Sequence, residues 1–414
     1  MAYSATAQVK TPRASECKLH RHQRANVSKQ LPRPNSIILR RIAVILLVVT
    51  CIGLGWLGYF QSRNAPAGAA ELSLRQLLGL PGGNQPRDIE GALPAVARIL
   101  FEYRPTPTPS QQRLSALAVL DSILHIDNAP ELLPVQRFFH RQIEQAVQQI
   151  KHTDVSSGAS VWLVYNHGFI VRTAAATLCF DLVRAKYLPG FALSQDLMTE
   201  LVEQCDVLFV SHAHADHAET FVAQTMIDLG KPVVAPSQVA YREPLNASIT
   251  HLEPRAHAVQ TLPIKGKPVS LRIVIYPGHQ GDDIDNNVVL VIMPDGITVS
   301  HTGDQWDKGA DFEWIDDVSK HFKVDILLPN DWTYDIARMV RGFNPALVIP
   351  GHANELGHSL DKRQSYAFSF ERKLGSSRFG GNEDVGYAAP LVVMTWGESF
   401  HYEPRPDVEQ THTR

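Results

Sequence analysis

A short histidine-rich segment is the feature that most constrains what this chain can fold into. Residues 211–217 have the sequence Ser-His-Ala-His-Ala-Asp-His and directly follow the apolar run 207–210, which predicts a short buried strand. Three imidazoles and one carboxylate within six residues are the ligands that zinc prefers when it keeps a position open for water or substrate. The segment therefore predicts a metal site. A chance histidine-rich surface loop is the alternative.

Further candidate ligands follow later apolar runs. His279, Asp304 and His352 each stand within four residues of the end of a strand-like run, and each has a glycine directly before it. Glycine lets the backbone turn sharply and approach other groups closely. Each segment alone is a weak signal, but their number and order predict that strand ends converge on one site.

Taken together, these four segments resemble the metallo-β-lactamase superfamily of hydrolases. The resemblance covers roughly residues 160 to 396, with 160–181 similar to the opening hairpin. It implies an α/β fold, the αββα sandwich of that superfamily, with metal ligands on loops at one edge of two sheets. Within the superfamily, the chain is most similar to the branch of ascorbate-phosphate lactonases and N-acylphosphatidylethanolamine-hydrolysing phospholipases D.

The resemblance implies a site for two metal ions, and seven positions carry the residue type that such a site needs. The implied ligands are His212, His214 and His279 for the first ion, Asp216, His217 and His352 for the second, and Asp304 as the bridge. Diiron oxygen-reducing relatives have a glutamate in place of His214, so this histidine favours two zinc ions, with Mn²⁺ or Fe²⁺ as alternatives. Asp304 and Asp216 are the expected catalytic carboxylates.

Two more residues are candidates for supporting roles. Asp181, at a predicted strand end, either accepts a hydrogen bond from a ligating histidine and fixes its orientation or is a turn residue. His358, six residues after His352, is either a substrate contact or proton donor, or a surface histidine.

The implied reaction is hydrolysis of an ester, phosphodiester, lactone or amide by a hydroxide held between two metal ions. Two zinc ions would lower the pKa of the bound water from 15.7 to about 7. The alternative is a metal-binding sensor or scaffold of the same fold without turnover, and the complete ligand set favours the enzyme. A small-molecule or lipid substrate is expected.

Charge is distributed unevenly along the chain. Residues 1–41 carry nine Lys or Arg and one Glu, a charge of +8, so residues 42–414 carry −11 against the total of −3. A catalytic region this acidic argues against a nucleic-acid substrate.

Residues 42–60 form a nearly unbroken apolar run without charge. As a helix it would span about 28 Å, close to the hydrocarbon thickness of a bilayer. The basic segment before it predicts a cytoplasmic N-terminus and an exported catalytic domain. A cleavable signal peptide, with a small-residue site at 67–69, and a buried core helix are the alternatives.

These patterns divide the chain into four parts. They are a basic cytoplasmic tail (1–41), a transmembrane helix (42–60), a linker with a helical lead-in (61–151) and the hydrolase domain (152–414). Apolar residues at helical spacing predict a helix over 132–150, and further helices are predicted over 195–204, 218–229 and 361–374. Cys179 and Cys205 lie in apolar contexts and are expected to be buried thiols, although an exported domain would allow a bridge.

Overall fold

The computed structural model describes residues 88–281, 283–306, 309–375 and 386–404. The predicted basic tail and membrane span lie outside the described residues and stay predictions. Within the described part of the chain, every helix is too short or too polar to cross a bilayer.

Three helices form the part of the lead-in that is described. They are α1 (Ile89–Glu102), α2 (Gln111–Leu124) and α3 (Leu133–His152). The side chains of Asp88 and Ser110 accept hydrogen bonds from backbone N–H groups in the first turns of α1 and α2, which satisfies donors that a helix start leaves free. As predicted, α3 buries one face; its apolar residues are Val135, Phe138, Phe139, Ile143, Ala146, Val147 and Ile150.

Within the described residues, twelve strands follow the lead-in and form two six-stranded mixed sheets. They are β1 (Ala159–Leu163), β2 (Phe169–Arg172), β3 (Thr177–Phe180), β4 (Val207–Phe209), β5 (Val233–Val234), β6 (Gln260–Pro263), β7 (Ser270–Gln280), β8 (Ile284–Ile292), β9 (Thr298–His301), β10 (Ile326–Leu328), β11 (Leu347–Val348) and β12 (Ser399–Tyr402). The predicted α/β fold is confirmed at this level.

Six more helices lie between the strands. They are α4 (Gln195–Glu203), α5 (Thr220–Asp228), α6 (Phe312–Ile315), α7 (Val318–His321), α8 (Ile336–Phe343) and α9 (Tyr366–Leu374). The helices predicted over 195–204 and 218–229 are confirmed as α4 and α5. The one predicted over 361–374 is shorter, because a single 3₁₀ turn at Leu360–Lys362 precedes α9.

The two sheets follow the same plan. The first has the order β12-β1-β2-β3-β4-β5 and the second β11-β10-β9-β8-β7-β6. In each, three neighbouring strands run parallel, namely β3, β4 and β5 in the first and β9, β10 and β11 in the second. Ligands of open α/β sheets collect at the carboxyl ends of parallel strands, and the predicted ligands after β4, β9 and β11 follow such ends. His279 does not, because it lies within β7, which pairs antiparallel with β6 and β8.

Aromatic contacts join the two sheets at the centre of the molecule. The ring of His301 in β9 stacks on Phe180 in β3, with centroids 4.9 Å apart, and also contacts Phe169 in β2. The Tyr402 hydroxyl donates to Asp325 at 3.0 Å, which links β12 to the start of β10. Buried residues of both sheets and of the lead-in helices belong to one hydrophobic core.

Cys179 in β3 and Cys205, which lies two residues after the end of α4, form a disulfide. The expectation of two free buried thiols is therefore wrong. The pairing was not readable from the sequence, because 26 residues separate the two cysteines and only the fold brings them together.

A buried ion pair joins the lead-in to the end of the sheet domain. Both terminal nitrogens of Arg113 in α2 donate to the carboxylate of Glu398, at 2.7 and 2.6 Å, and one also donates to the Val393 carbonyl. The two side chains are 1% and 4% exposed. Arg113 also donates to the Tyr103 carbonyl and Glu398 also accepts from the Thr395 N–H, but these partners carry no charge, so losing either side chain of the pair leaves an uncompensated buried charge.

Replacing Arg113 with Met should lower the free energy of unfolding by about 3–5 kcal/mol, the usual cost of breaking a buried pair. The matched control is Arg137→Met, which removes an exposed pair with Glu90 whose side chains are 52% and 71% exposed. It should cost no more than about 1 kcal/mol. Urea unfolding measures both, and equal costs would contradict this account of how the lead-in is attached.

Candidate metal centre

Four predicted ligands of the second ion lie together at the strand ends. Asp216, His217, Asp304 and His352 place one ligand atom each within 4.8 Å of all the others. The Nε2 atom of His217 is 3.2 Å from both the Asp216 and the Asp304 carboxylates, and the Nε2 atom of His352 is 3.3 Å from both. The structure therefore brings together the four residues predicted to contact the second ion.

A second group meets the first at Asp304. His212, His214 and Asp304 also place their ligand atoms within 4.8 Å of one another. The Nε2 atom of His212 is 3.9 Å from the Asp304 Oδ2 atom, and the His212 and His214 rings are 4.7 Å apart. Among the described residues, Asp304 alone belongs to both groups, which is the position of a bridging carboxylate.

The spacing of these atoms fits a metal ion. Nitrogen and oxygen ligands about 2.0–2.2 Å from a tetrahedral ion are roughly 3.3 Å apart, close to the distances around His217 and His352. The Nε2 atoms of His212, His217 and His352 are buried, and within the part of the chain that the structure describes none has a hydrogen-bond partner. An unsatisfied buried nitrogen costs about 1–3 kcal/mol, and two metal ions, one in each ligand group, would satisfy all three.

The structure does not bring His279 into either group. Its side chain is 41% exposed, and its Nδ1 atom lies 3.0 and 3.1 Å from the two carboxylate oxygens of Asp311. Gln305 holds this arrangement, because its side chain accepts from the His279 backbone N–H and donates to Asp311. Asp311 thus orients the ring and leaves Nε2 as the ligand atom, while ligation by His279 stays a prediction.

Asp181 supports the centre from behind, as one of the two alternatives predicted. It is fully buried, and its carboxylate contacts the Nδ1 atom of His217 at 2.7 Å and accepts from the Ser211 backbone N–H and hydroxyl at 2.7 and 2.6 Å. Burial opposes ionisation, yet His217 and the hydrogen bonds hold the pKa of Asp181 below its ordinary value. A carboxylate on Nδ1 directs Nε2 of His217 toward the metal position.

Three amide side chains hold the carboxylates of the centre and were not among the predicted site residues. Asn330 and Gln280 donate to the two oxygens of Asp304 at 2.5 and 3.0 Å, and Asn166 donates to Asp216 at 2.9 Å. Asn330 could have been predicted, since it stands two residues after the apolar run 326–328, much as the predicted ligands stand shortly after apolar runs. Asn166 and Gln280 carry no comparable pattern.

The glycine before Asp304 has the role that the sequence predicted. Gly303 has a φ of +54°, and a Cβ atom there would lie 2.2 Å from the Asn286 side chain and 2.4 Å from Ser211. Only glycine combines this backbone conformation with so close an approach. Its absence of a side chain lets the strand end at β9 carry Asp304 against the histidine segment.

The charges of the centre favour a bound cation. Although burial opposes it, the carboxylates of Asp304 and Asp216 raise the pKa of His352 to about 10. Burial and His217 lower the pKa of His212 to about 3, so this ring is neutral near pH 7 and free to ligate through nitrogen. Despite burial, His217 and His352 hold the pKa of Asp304 well below its ordinary value. The carboxylates are thus ionised and attract positive charge.

His358 lies beside the centre and is not a surface histidine. Its ring is partly buried and stacks on His352, with centroids 5.4 Å apart, and its edge meets Trp332. Its Nδ1 atom is buried and has no partner among the residues described. Contact with substrate or donation of a proton therefore stays the prediction for His358.

A buried carboxyl group with two tyrosines also adjoins the centre and was not identified from the sequence. The hydroxyls of Tyr165 and Tyr187 both donate to the Oε1 atom of Glu355, at 3.0 Å each. Burial and the nearby charge of Asp216 raise the pKa of Glu355. This group packs against the second ligand set without joining it.

No protein-family model matches the sequence, and no curated protein is similar to it. Solved structures do match. One is Igni18, a metallo hydrolase from the archaeon Ignicoccus hospitalis, with 15% identity and a TM-score of 0.44 over 60% of this chain and 100% of that one. Another is a protein from Thermotoga maritima assigned to the metallo-β-lactamase superfamily of Zn-dependent hydrolases, with 15% identity and a TM-score of 0.25 over 47% and 76% of the two chains.

A third match is CmlA, a diiron β-hydroxylase from Streptomyces venezuelae, with 13% identity and a TM-score of 0.32 over 48% and 45% of the two chains. Two of these three structures are described as a metallo hydrolase and as a member of the metallo-β-lactamase superfamily, the class that the sequence resembles. Identities and TM-scores this low do not decide an activity, so the reaction has to be inferred from the side chains of the centre.

Replacing Asp181 with Asn should weaken zinc binding about 10–100-fold, the usual effect of losing the partner of a ligating histidine. Asparagine tolerates the left-handed backbone at this position, where φ is +45°. The matched control is Asp206→Asn, whose carboxylate accepts from the Thr177 backbone N–H and contacts no histidine. Competition with a chromophoric chelator measures both affinities, and an unchanged affinity in Asp181→Asn would refute the assigned role.

Proposed function

We propose that the chain is a metal-dependent hydrolase with the αββα sandwich of the metallo-β-lactamase superfamily and a centre for two metal ions. The observation that carries the proposal is the meeting of two ligand groups at Asp304, with the Nε2 atoms of His212, His217 and His352 turned toward each other and unpartnered among the described residues. Histidine and carboxylate ligands suit zinc, and Mn²⁺ or Fe²⁺ are the alternatives.

Two divalent ions bound here would activate water as a nucleophile and stabilise negative charge on the substrate. The residues of the chain hold that arrangement. Asn330 and Gln280 fix both oxygens of Asp304, and Asp181 fixes the ring of His217. Rigid placement of the charged groups is what lowers the cost of reorganisation during reaction.

The substrate class that we propose is a small molecule or lipid with an ester, phosphodiester, lactone or amide bond. The acidic balance of residues 42–414 would repel a polyanion such as RNA or DNA. The branch of lactonases and lipid-hydrolysing phospholipases D remains our proposal for the nearest chemistry.

The chain should be anchored in a membrane through residues 42–60, with the catalytic domain exported. Two observations support this proposal. The charge of +8 over residues 1–41 favours a cytoplasmic N-terminus, and the Cys179–Cys205 disulfide suits an oxidising compartment.

Asp304→Ala and His214→Ala should each reduce hydrolysis to the background rate. Asp304 belongs to both ligand groups, so its loss removes a ligand from each ion, and the loss of His214 removes one ligand from the first ion. His358→Ala should retain a measurable rate, because a substrate contact or proton donor is worth about 10²–10⁴-fold. Rates, metal content and circular dichroism are measured on the same samples.

The test uses a panel of aryl ester, phosphodiester, lactone and β-lactam substrates with zinc- and manganese-loaded protein. Near-normal turnover by folded Asp304→Ala would refute the shared centre. If the wild type binds two ions at the centre around Asp304 and hydrolyses no member of the panel, the sensor or scaffold alternative is favoured.

A reporter that works only outside the cytoplasm should be active when it is fused after residue 70. A reporter that works only inside the cytoplasm should be inactive at the same position. The positive charges before residue 42 oppose translocation of the N-terminus. The control inserts the same reporters directly before residue 42, where the outcomes should be reversed. Cytoplasmic activity of the fusion after residue 70 would reverse the proposed orientation.

A further inference from the structure

A third cluster of ligand side chains lies apart from the centre at Asp304. His257, Asp317 and His321 place one ligand atom each within 4.8 Å of one another. His257 lies in the segment between β5 and β6, while Asp317 and His321 lie at the two ends of α7. Because residues four apart on a helix share a face, α7 presents a carboxylate and an imidazole together.

The distances within this cluster are those of ligands around one ion. The Nε2 atoms of His257 and His321 lie 3.4 and 2.9 Å from the same oxygen, Oδ2 of Asp317. The two rings are 3.9 Å apart between centroids. Ligands of a tetrahedral ion at about 2.0–2.2 Å are roughly 3.3 Å apart, so a small movement of each side chain would place an ion between all three.

Neighbouring groups contact two of the three ligands. The Nδ1 atom of His257 lies 3.3 Å from the hydroxyl of Tyr276, a buried residue of β7. When Nδ1–H donates to this hydroxyl, Nε2 carries the lone pair that a metal needs. Lys320 contacts the other carboxylate oxygen, Oδ1 of Asp317, at 2.6 Å. Oδ2 is thus the oxygen that faces the histidines, while the charge of Lys320 beside it opposes a bound cation.

We propose that His257, Asp317 and His321 form a third metal site, which takes one divalent transition ion such as zinc. Two imidazoles and one carboxylate with open positions are a ligand set of such ions. The side chains are 26%, 31% and 45% exposed, so water can complete the coordination. The ion joins the segment before β6 to α7 and is independent of the proposed hydrolysis.

The first test counts bound zinc in the purified full-length chain by titration against a chromophoric chelator. His321→Ala and His257→Ala should each bind one equivalent fewer than the wild type. The matched control is His401→Ala. Its side chain is 44% exposed and pairs with Glu403 at 2.8 Å, but it belongs to no three-ligand group among the described residues, so the count should not change.

Lys320→Ala provides a second measurement that loss of folding cannot imitate. Removing a positive charge beside Asp317 should strengthen zinc binding at this site several-fold, because the charge opposes a divalent ion. If His321 and Asp317 formed an ion pair and no metal site, Lys320→Ala would show no gain in zinc affinity. Equal zinc counts in the wild type and in both folded histidine variants would overturn the proposal, as would unchanged affinity in Lys320→Ala. A failure of the centre at Asp304 to bind zinc would leave the difference of one equivalent intact.

Discussion

The contact of the Asp304 carboxylate with histidines from two directions is the interaction on which the rest of the centre depends. Its oxygens lie 3.2 and 3.3 Å from the Nε2 atoms of His217 and His352 and 3.9 Å from that of His212. Asp304 lies directly after Gly303 at the end of β9, whereas His212 and His217 come from the loop after β4 in the other sheet. The centre therefore forms only when the two sheets pack face to face.

The packing of the sheets is in turn secured by groups that are not ligands. His301 fills the space between Phe169 and Phe180, three residues before Asp304. Asp181 follows β3 and reaches across to Ser211 and His217. Asp181 thus connects the hydrophobic core to the ring of His217. A change in the packing of the core would therefore displace this predicted metal ligand. At these strand ends, the geometry of the centre therefore depends on the packing of the core.

Local patterns were sufficient to predict which histidines after apolar strands lie close to Asp304. His212, His217 and His352 stand at fixed short distances from such runs, and the structure brings them together with Asp304. The helix over 132–150 was predictable because its periodicity is also local. The αββα arrangement itself entered through a resemblance and not through periodicity.

The partners that hold the ligands could not be predicted, because they depend on tertiary contacts. Arg113 and Glu398 are 285 residues apart, and the Asp311 carboxylate meets His279 across 32 residues. The cluster of His257 with Asp317 and His321 joins residues 60 or more positions apart, and neither segment has a motif of its own. Such pairs follow from the fold and have no signature at either position.

The most direct measurement of the central claim is anomalous diffraction from crystals of the zinc-loaded chain, recorded on both sides of the zinc absorption edge. Two peaks are expected at the strand ends, with the Asp304 carboxylate between them and the rings of His212 and His352 on opposite sides. A single peak that Asp304 does not contact, or none in zinc-loaded crystals, would contradict a centre built on a shared carboxylate.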